Sequence, residues 1–229
     1  MQEHTELLRK CNLIDLGLTE YGRCLEIQHE LVRLRQEGRI FDTLILTEHE
    51  PVITFGRAYS DRAPELPYRV FYVERGGEGT YHAPGQMVAY PVLNLNENAI
   101  GPRTLVLSLL NSAAEALADV GITAEGLLNP VGLWVSGKKI GSVGLAVKQW
   151  VSFHGIAVNL NNDMKGFSVI NPCGLHASMM TSASELLGHT VDMNRFKRKF
   201  VDAFMRRFRF SGEESDLDML LMQKNKSST

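Results

Sequence analysis

Between residues 42 and 95 four apolar runs of strand length follow one another: 42–48 (DTLILTE), 52–56 (VITFG), 69–74 (RVFYVE) and 87–95 (MVAYPVLNL). His49-Glu50-Pro51 turns the first into the second. Pro91 sits inside the last run and favours an edge position or a bulge, because proline cannot donate to a strand ladder. Further on, 131–135 and 138–147 read as a hairpin about Ser136-Gly137, and 150–159 as another strand. Three helices interrupt this pattern. The first covers 19–37, with Thr19 as cap, Tyr21, Cys24, Leu25, Leu31 and Val32 near one face, and Gly38 as stop. The second runs from Pro102 to about Val120, with Leu105, Leu109, Leu110, Ala113 and Leu117 as its stripe. The third covers 191–209, with Met193, Phe196, Phe200, Phe204 and Phe208 on its apolar side. Hairpins interleaved with a few helices predict an α+β fold rather than a regular βαβ series.

The chain has 229 residues, of which 44% are hydrophobic. Such a chain buries about 70% of its extended surface and needs no metal or disulfide to fold. No repeat, low-complexity tract or linker divides it, so residues 1–210 are expected to form one domain and 211–229 a polar, mobile tail. Basic residues number 24 and acidic ones 26, which argues against a nucleic-acid binder. No apolar stretch approaches the length of a membrane span. The first ten residues carry two glutamates and no apolar core, unlike a signal or transit peptide. Cys11, Cys24 and Cys173 are too few and too dispersed for a disulfide framework or a zinc ribbon, and they fit a reducing compartment. Cys11 and Cys24 read as small core residues.

Residues 75–86 hold four glycines and a proline in twelve positions. Neither a P-loop nor a GxGxxG pattern is present. The stretch is either a loop or irregular edge strand, or a surface that a ligand approaches closely, with Arg75, Tyr81 and His82 placed to bind a carbonyl or orient an acyl group. Cys173 lies between Pro172 and Gly174, an arrangement that presents a thiol at a turn, although a buried structural cysteine fits the local sequence equally. A thiol with a pKa of about 8.5 needs a base or cation to act as a nucleophile near pH 7. His82, His154 and His176 are candidates, as are Lys138 and Lys139. Adjacent strand residues face opposite ways, so at most one of these lysines points into a given pocket.

Five segments occur in the order of one known family: Glu48-His49-Glu50-Pro51-Val52 with Gly56-Arg57; RGGEGTYHAPGQ with Tyr90-Pro91; GKKIGSVGL at 137–145; SFHGIAVNLN at 152–161; and Asn171-Pro172-Cys173-Gly174 with Thr181-Ser182. On these residues the chain resembles the octanoyltransferases of lipoate biosynthesis, the lipoate-protein ligase B family. The resemblance implies a biotin/lipoate ligase-like catalytic domain, with a mixed or antiparallel sheet flanked by helices. It implies transfer of an octanoyl group from octanoyl-acyl carrier protein to the lysine of apo-lipoyl domains, such as the glycine cleavage H protein and 2-oxoacid dehydrogenase E2. Cys173 would be the nucleophile and Lys139 its acid/base partner. Arg75, Gly76, Gly77, Glu78, Gly79, Thr80, Tyr81 and His82 would line the acyl site, with Ser142, Val143 and Gly144 as a second wall and Gly155, Ile156 and Ala157 as a third. No cofactor, metal, nucleic acid or membrane is implied. The compartment would be the cytoplasm, or the mitochondrion in a eukaryote.

Two positions depart from the family pattern. Ala83 stands where glycine is usual, which leaves open a harmless methyl, a narrower acyl site or a restricted positive-φ backbone, and Gly79 stands where an apolar β-branched residue is common and would add slack at the same wall. An ATP-dependent lipoate or biotin ligase, an amidotransferase between lipoyl domains, and a non-catalytic binder of the same fold are the competing readings. The third helix carries Arg195, Lys197, Arg198, Lys199, Arg206, Arg207 and Arg209, a solvated face or a docking surface for an acidic carrier.

Overall fold

A computed structural model describes residues 8–59, 65–170 and 176–225. In chain order these form β1 (Arg9–Thr19), α1 (Tyr21–Gln36), β2 (Asp42–His49), β3 (Val52–Phe55), β4 (Arg69–Tyr72), β5 (Gly79–His82) and β6 (Gln86–Val92). Then follow α2 (Pro102–Ala118), β7 (Glu125–Leu128), β8 (Val131–Val135), β9 (Lys138–Lys148) and β10 (Val151–Asn159). Short 3-10 turns and α3 (Ala183–Leu187) lead to α4 (Met193–Phe208), β11 (Phe210–Glu214) and α5 (Leu217–Leu221).

Among the described residues the main sheet has eight strands in the order β11-β1-β2-β6-β10-β9-β8-β7. Its first three strands run parallel and the remaining pairs are antiparallel. A three-stranded sheet, β4-β3-β5, lies beside it. Strand periodicity explains the layering. Leu44, Leu46, Met87, Ala89, Ile156 and Val158 face one side and join the stripes of α2 and α4. Ile45, Val88, Tyr90, Val92, Phe153 and Ala157 face the other and pack against α1. Strands covered on both faces read as continuous apolar runs, which is why β2 and β6 stand out in the sequence. Cys11 and Cys24 are fully buried, and burial pushes both thiols up, that of Cys24 to about 12.

The structure departs from the sequence reading in four places. Pro91 lies in β6 at the centre of the sheet, not at an edge. Its carbonyl accepts a hydrogen bond from Ser152 Oγ at 2.7 Å and so points toward β10, and its missing N–H faces the same way. The β6–β10 ladder has already ended at the Ala89–Ile156 pair, so no ladder bond is lost there. The α1 cap is Glu20, which accepts from Arg23 N–H, while Thr19 belongs to β1. Residues 79–82 of the glycine-rich stretch do form an edge strand, of the smaller sheet, but a regular one rather than an irregular one. Beyond Ser211 the expected mobile tail instead carries the rest of β11, an edge strand parallel to β1, and α5 with Leu217, Leu220 and Leu221 against the α1 side of the core.

The cations of the basic helix are partly paired within the chain. Arg195 and Lys199 pair with Asp119, Arg206 and Arg207 with Glu115, and Lys197 with Asp15. At least five of its seven cations are thus engaged, but they share three carboxylates, so positive charge is left on this face.

Candidate active site

A cavity of about 200 Å³ opens where the loop 75–78 meets β5, β6, β9 and β10. Arg75, Gly77, Glu78, Thr80 and His82 form one wall, Ser142, Val143 and Gly144 a second, and Gly155, Ile156 and Ala157 a third. Three residues of the expected set do not line it. Along β5, Thr80 and His82 face the cavity, so Gly79 and Tyr81 face away. Tyr81 packs among Phe167, Ile53 and Phe55. Gly76 instead holds the loop to β9, its N–H donating to Leu145 O at 3.0 Å.

The two departures from the family pattern also lie off the cavity. Ala83 is buried in the Phe55–Phe167 cluster and does not narrow the cavity. A Cβ at Gly79 would stand 2.9 Å from the Phe55 ring, so that glycine is a close contact rather than slack.

Arg75 is the strut of the loop. Its Nη2 donates to Thr54 O at 2.7 Å and to Thr54 Oγ1 at 2.9 Å, and its Nη1 to Gly76 O. The expected carbonyl-binding guanidinium is therefore turned onto backbone. Gly155 is required for the third wall: a methyl there would overlap the Ala89 carbonyl oxygen of β6. We expect Gly155→Ala to cost about 3 kcal/mol, by analogy with overpacked cores, and hence to lower the melting temperature by about 6–12 °C. A calorimetric melt indistinguishable from wild type would show that β6 and β10 can part without penalty.

Four side chains that sequence reading did not assign to the acyl site form the inner end of the cavity or lie directly behind it: Tyr21, His49, Tyr90 and His154. The Glu48-His49 motif and Tyr90 were visible in the sequence, but their convergence across 41 positions was not. His49 Nδ1–H donates to Thr19 O at 2.9 Å, because a carbonyl can only accept. Its Nε2 therefore accepts from the Tyr90 hydroxyl at 2.7 Å. His82 Nδ1–H donates to Gln86 Oε1 at 2.7 Å, and Gln86 is itself held by Tyr81 O and Asn159 Oδ1. Burial lowers the pKa of His82 to about 3, and those of His49 and His154 to about 4, so all three imidazoles are neutral near pH 7. His154 has a left-handed backbone with φ of 55° and contacts Glu74 through Nε2 at 3.4 Å. His176, the other candidate base, is at the surface.

Lys139 and Lys138 separate as the strand period requires. Lys138 is exposed, and Lys139 is 1% exposed. The Lys139 Nζ lies 5.9 Å from the Trp134 ring centroid, and no carboxylate pairs with it among the described residues. Its Cε occupies the space that a side chain at Gly132 would need, since a Cβ there would sit 2.5 Å from it. The neighbouring Val131 lines the cavity. Lys139 O accepts from Thr181 N–H at 3.0 Å and its backbone bridges to Met180, so β9 is tied to the segment that follows residue 175. Cys173, with Asn171, Pro172 and Gly174, lies outside the described residues. Among the described residues no three His, Cys, Asp or Glu side chains gather as a metal site would require.

The lipoyl protein ligase A/B catalytic domain model matches residues 20–205. An octanoyltransferase of Syntrophobacter fumaroxidans is 37% identical over 219 residues, covering 92% of this chain and 96% of that protein. An octanoyltransferase of Alkaliphilus metalliredigens is 40% identical over 194 residues, covering 80% of this chain and 88% of that one. The fold is similar to a lipoate-protein ligase A bound with ATP, with a TM-score of 0.76, 15% identity, and coverage of 95% of this chain and 94% of that one. It is similar also to the biotin protein ligase of Aquifex aeolicus in complex with biotin and ATP, with a TM-score of 0.53, 18% identity, and coverage of 86% and 70%. The α+β expectation and its ligase-like sheet are thereby met. The curated relatives share a transferase activity, the match spans nearly their full length, and the chain belongs to the octanoyltransferase family, within the lipoyl protein ligase A/B catalytic domains.

Proposed function

We propose that this enzyme moves an octanoyl group from octanoyl-acyl carrier protein to the lysine of an apo-lipoyl domain, through a thioester on Cys173. The observation that carries this reading is Lys139. An amine 1% exposed, with no carboxylate partner among the described residues, is costly to a fold and is expected where chemistry needs it.

The reaction begins from a Cys173 thiolate and a Lys139 ammonium. The thiolate attacks the donor's thioester carbonyl, the carrier's sulfur leaves, and Lys139 gives that sulfur a proton. The acceptor's neutral ε-amine then attacks the acyl-enzyme carbonyl, Lys139 takes the proton the nitrogen loses, and the Cys173 thiolate departs. The first state is thereby restored. A thioester becomes an amide, so the transfer runs downhill without ATP. An apolar cavity of 150 Å³ holds the six carbons of benzene, so about 200 Å³ suits roughly eight carbons. Seven methylene or methyl groups at about 0.8 kcal/mol each give up to 5–6 kcal/mol of binding.

Incubation with octanoyl-acyl carrier protein, without ATP or Mg²⁺, is expected to add one octanoyl group by intact-mass spectrometry, mapped to Cys173. Cys173→Ser is expected to take no adduct while melting as the wild type does. An adduct that persists in Cys173→Ser, or one that forms only with ATP, sinks the proposal.

A further inference from the structure

The cavity has a direction. Ala58, Gly77 and Val131 are exposed at one end. At the other, Tyr21, His82 and Tyr90 are 2%, 6% and 3% exposed. These rings interlock with one another and with His49, which is fully buried. Tyr21 meets His49 edge-on at 5.1 Å and stacks on His82 at 5.9 Å, while His49 lies 5.7 Å from His82 and 5.8 Å from Tyr90.

The cluster is also pinned. Tyr90 is fixed to His49, His49 to the Thr19 carbonyl, and His82 to Gln86. Behind Tyr21 stand Val52, Val73 and Phe71, so that ring is packed on its far side. An extended chain entering from the exposed end meets a wall of buried rings in mutual contact, three of them held by hydrogen bonds.

Resting on the acyl-transfer reading of this cavity, we propose that the ring cluster is an end stop that sets the length of acyl chain the enzyme accepts, and that Tyr90 is its determining residue. The terminal methyl of an eight-carbon chain abuts the Tyr90 ring. Longer saturated chains must leave carbons outside the cavity or displace a ring that is hydrogen-bonded in place.

Free octanoic, decanoic and dodecanoic acids serve as probes, because their binding needs no thiol chemistry. By isothermal titration the wild type is expected to bind octanoate best and dodecanoate at least about tenfold more weakly. Tyr90→Ala is expected to move the optimum outward by roughly two to four carbons, since truncating a buried ring leaves a cavity in its place. Where Tyr90→Ala does not fold, Tyr21→Ala, on α1, removes a second member of the stop and is expected to shift the optimum the same way.

Competition among octanoyl, decanoyl and dodecanoyl thioesters, read as acyl-enzyme mass, should give the same ranking. Dodecanoate binding as tightly as octanoate in the wild type, no binding of any acid, or an unchanged ranking in the folded variant overturns the end stop. A missing acyl-enzyme with the acid ranking intact overturns the transfer reading and leaves the end stop standing.

Discussion

Lys139→Met is expected to lower kcat by about 10²–10⁴ in octanoyl transfer, the range over which a positioned acid/base contributes, while the protein stays folded. Methionine keeps an unbranched chain in the slot that Gly132 and Trp134 leave for the lysine, so packing changes little. The expected effect is on both half-reactions, because the same amine protonates the departing carrier sulfur and accepts the proton of the incoming amine. Rapid-quench measurement of acyl-enzyme formation and, separately, of its discharge to a lipoyl domain resolves the two. Lys138→Met, on the exposed side of β9, is expected to have little effect. Gly132→Ala reaches the same amine indirectly: its new methyl would meet Lys139 Cε, and its φ of 150° already disfavours a side chain. Loss of rate in Gly132→Ala with normal melting would locate the function in the amine's position. Equal effects at Lys138 and Lys139, or slowing of only one half-reaction, would remove Lys139 from the acid/base role.

Much of this architecture is legible in the sequence where one physical signal dominates. Helices α1, α2 and α4 declare themselves by an apolar stripe at helical spacing, and β2 and β6 by continuous apolar runs that follow from burial on both faces. Strand β1 is hidden because a register shift between Asp15 and Leu18 breaks its alternation. Strand β11 is hidden because an edge strand buries little: Phe210 is buried and the next four residues are exposed. Pro91 misleads because the rule that keeps proline out of central strands concerns a lost hydrogen bond, and here the neighbouring ladder has already stopped. At the site, three glycine-bearing segments can be named from their motifs, but which members face the cavity depends on strand phase, and phase separates Thr80 and His82 from Tyr81. The interlocked rings of Tyr21, His49, His82 and Tyr90 come from four separate elements, and no local spacing announces them.

Stability is expected to fall steeply with acidification between about pH 6.5 and pH 4, and the cause is the two histidines of this cluster together with His154, which also lines the cavity. Above pH 6.5 His49, His82 and His154 are neutral in both the folded and unfolded chain, so protons do not discriminate between the states. Below that pH the unfolded chain takes up a proton at each imidazole. The folded chain does not until pH 4 to 3, because burial lowers the pKa of His49 and His154 to about 4 and that of His82 to about 3. The unfolded state therefore binds more protons across this window, and folding loses free energy as pH drops. At 1.36 kcal/mol per proton per pH unit, three groups give a slope of up to about 4 kcal/mol per pH unit. Glu74 lies against His154 and favours its charged form, but burial outweighs it and the folded pKa is still about 4, so all three groups contribute to the slope. A domain with about 5–10 kcal/mol in hand at neutral pH would then unfold by about pH 4–5. Urea midpoints measured at half-unit steps from pH 7.5 to 4.5 read the slope directly. Replacing His82 by glutamine should reduce it by close to one proton, whatever that substitution does to stability at pH 7.5. A flat profile from pH 7 to 5 would mean that these imidazoles are solvated when folded, and the dry inner end of the cavity would go with them.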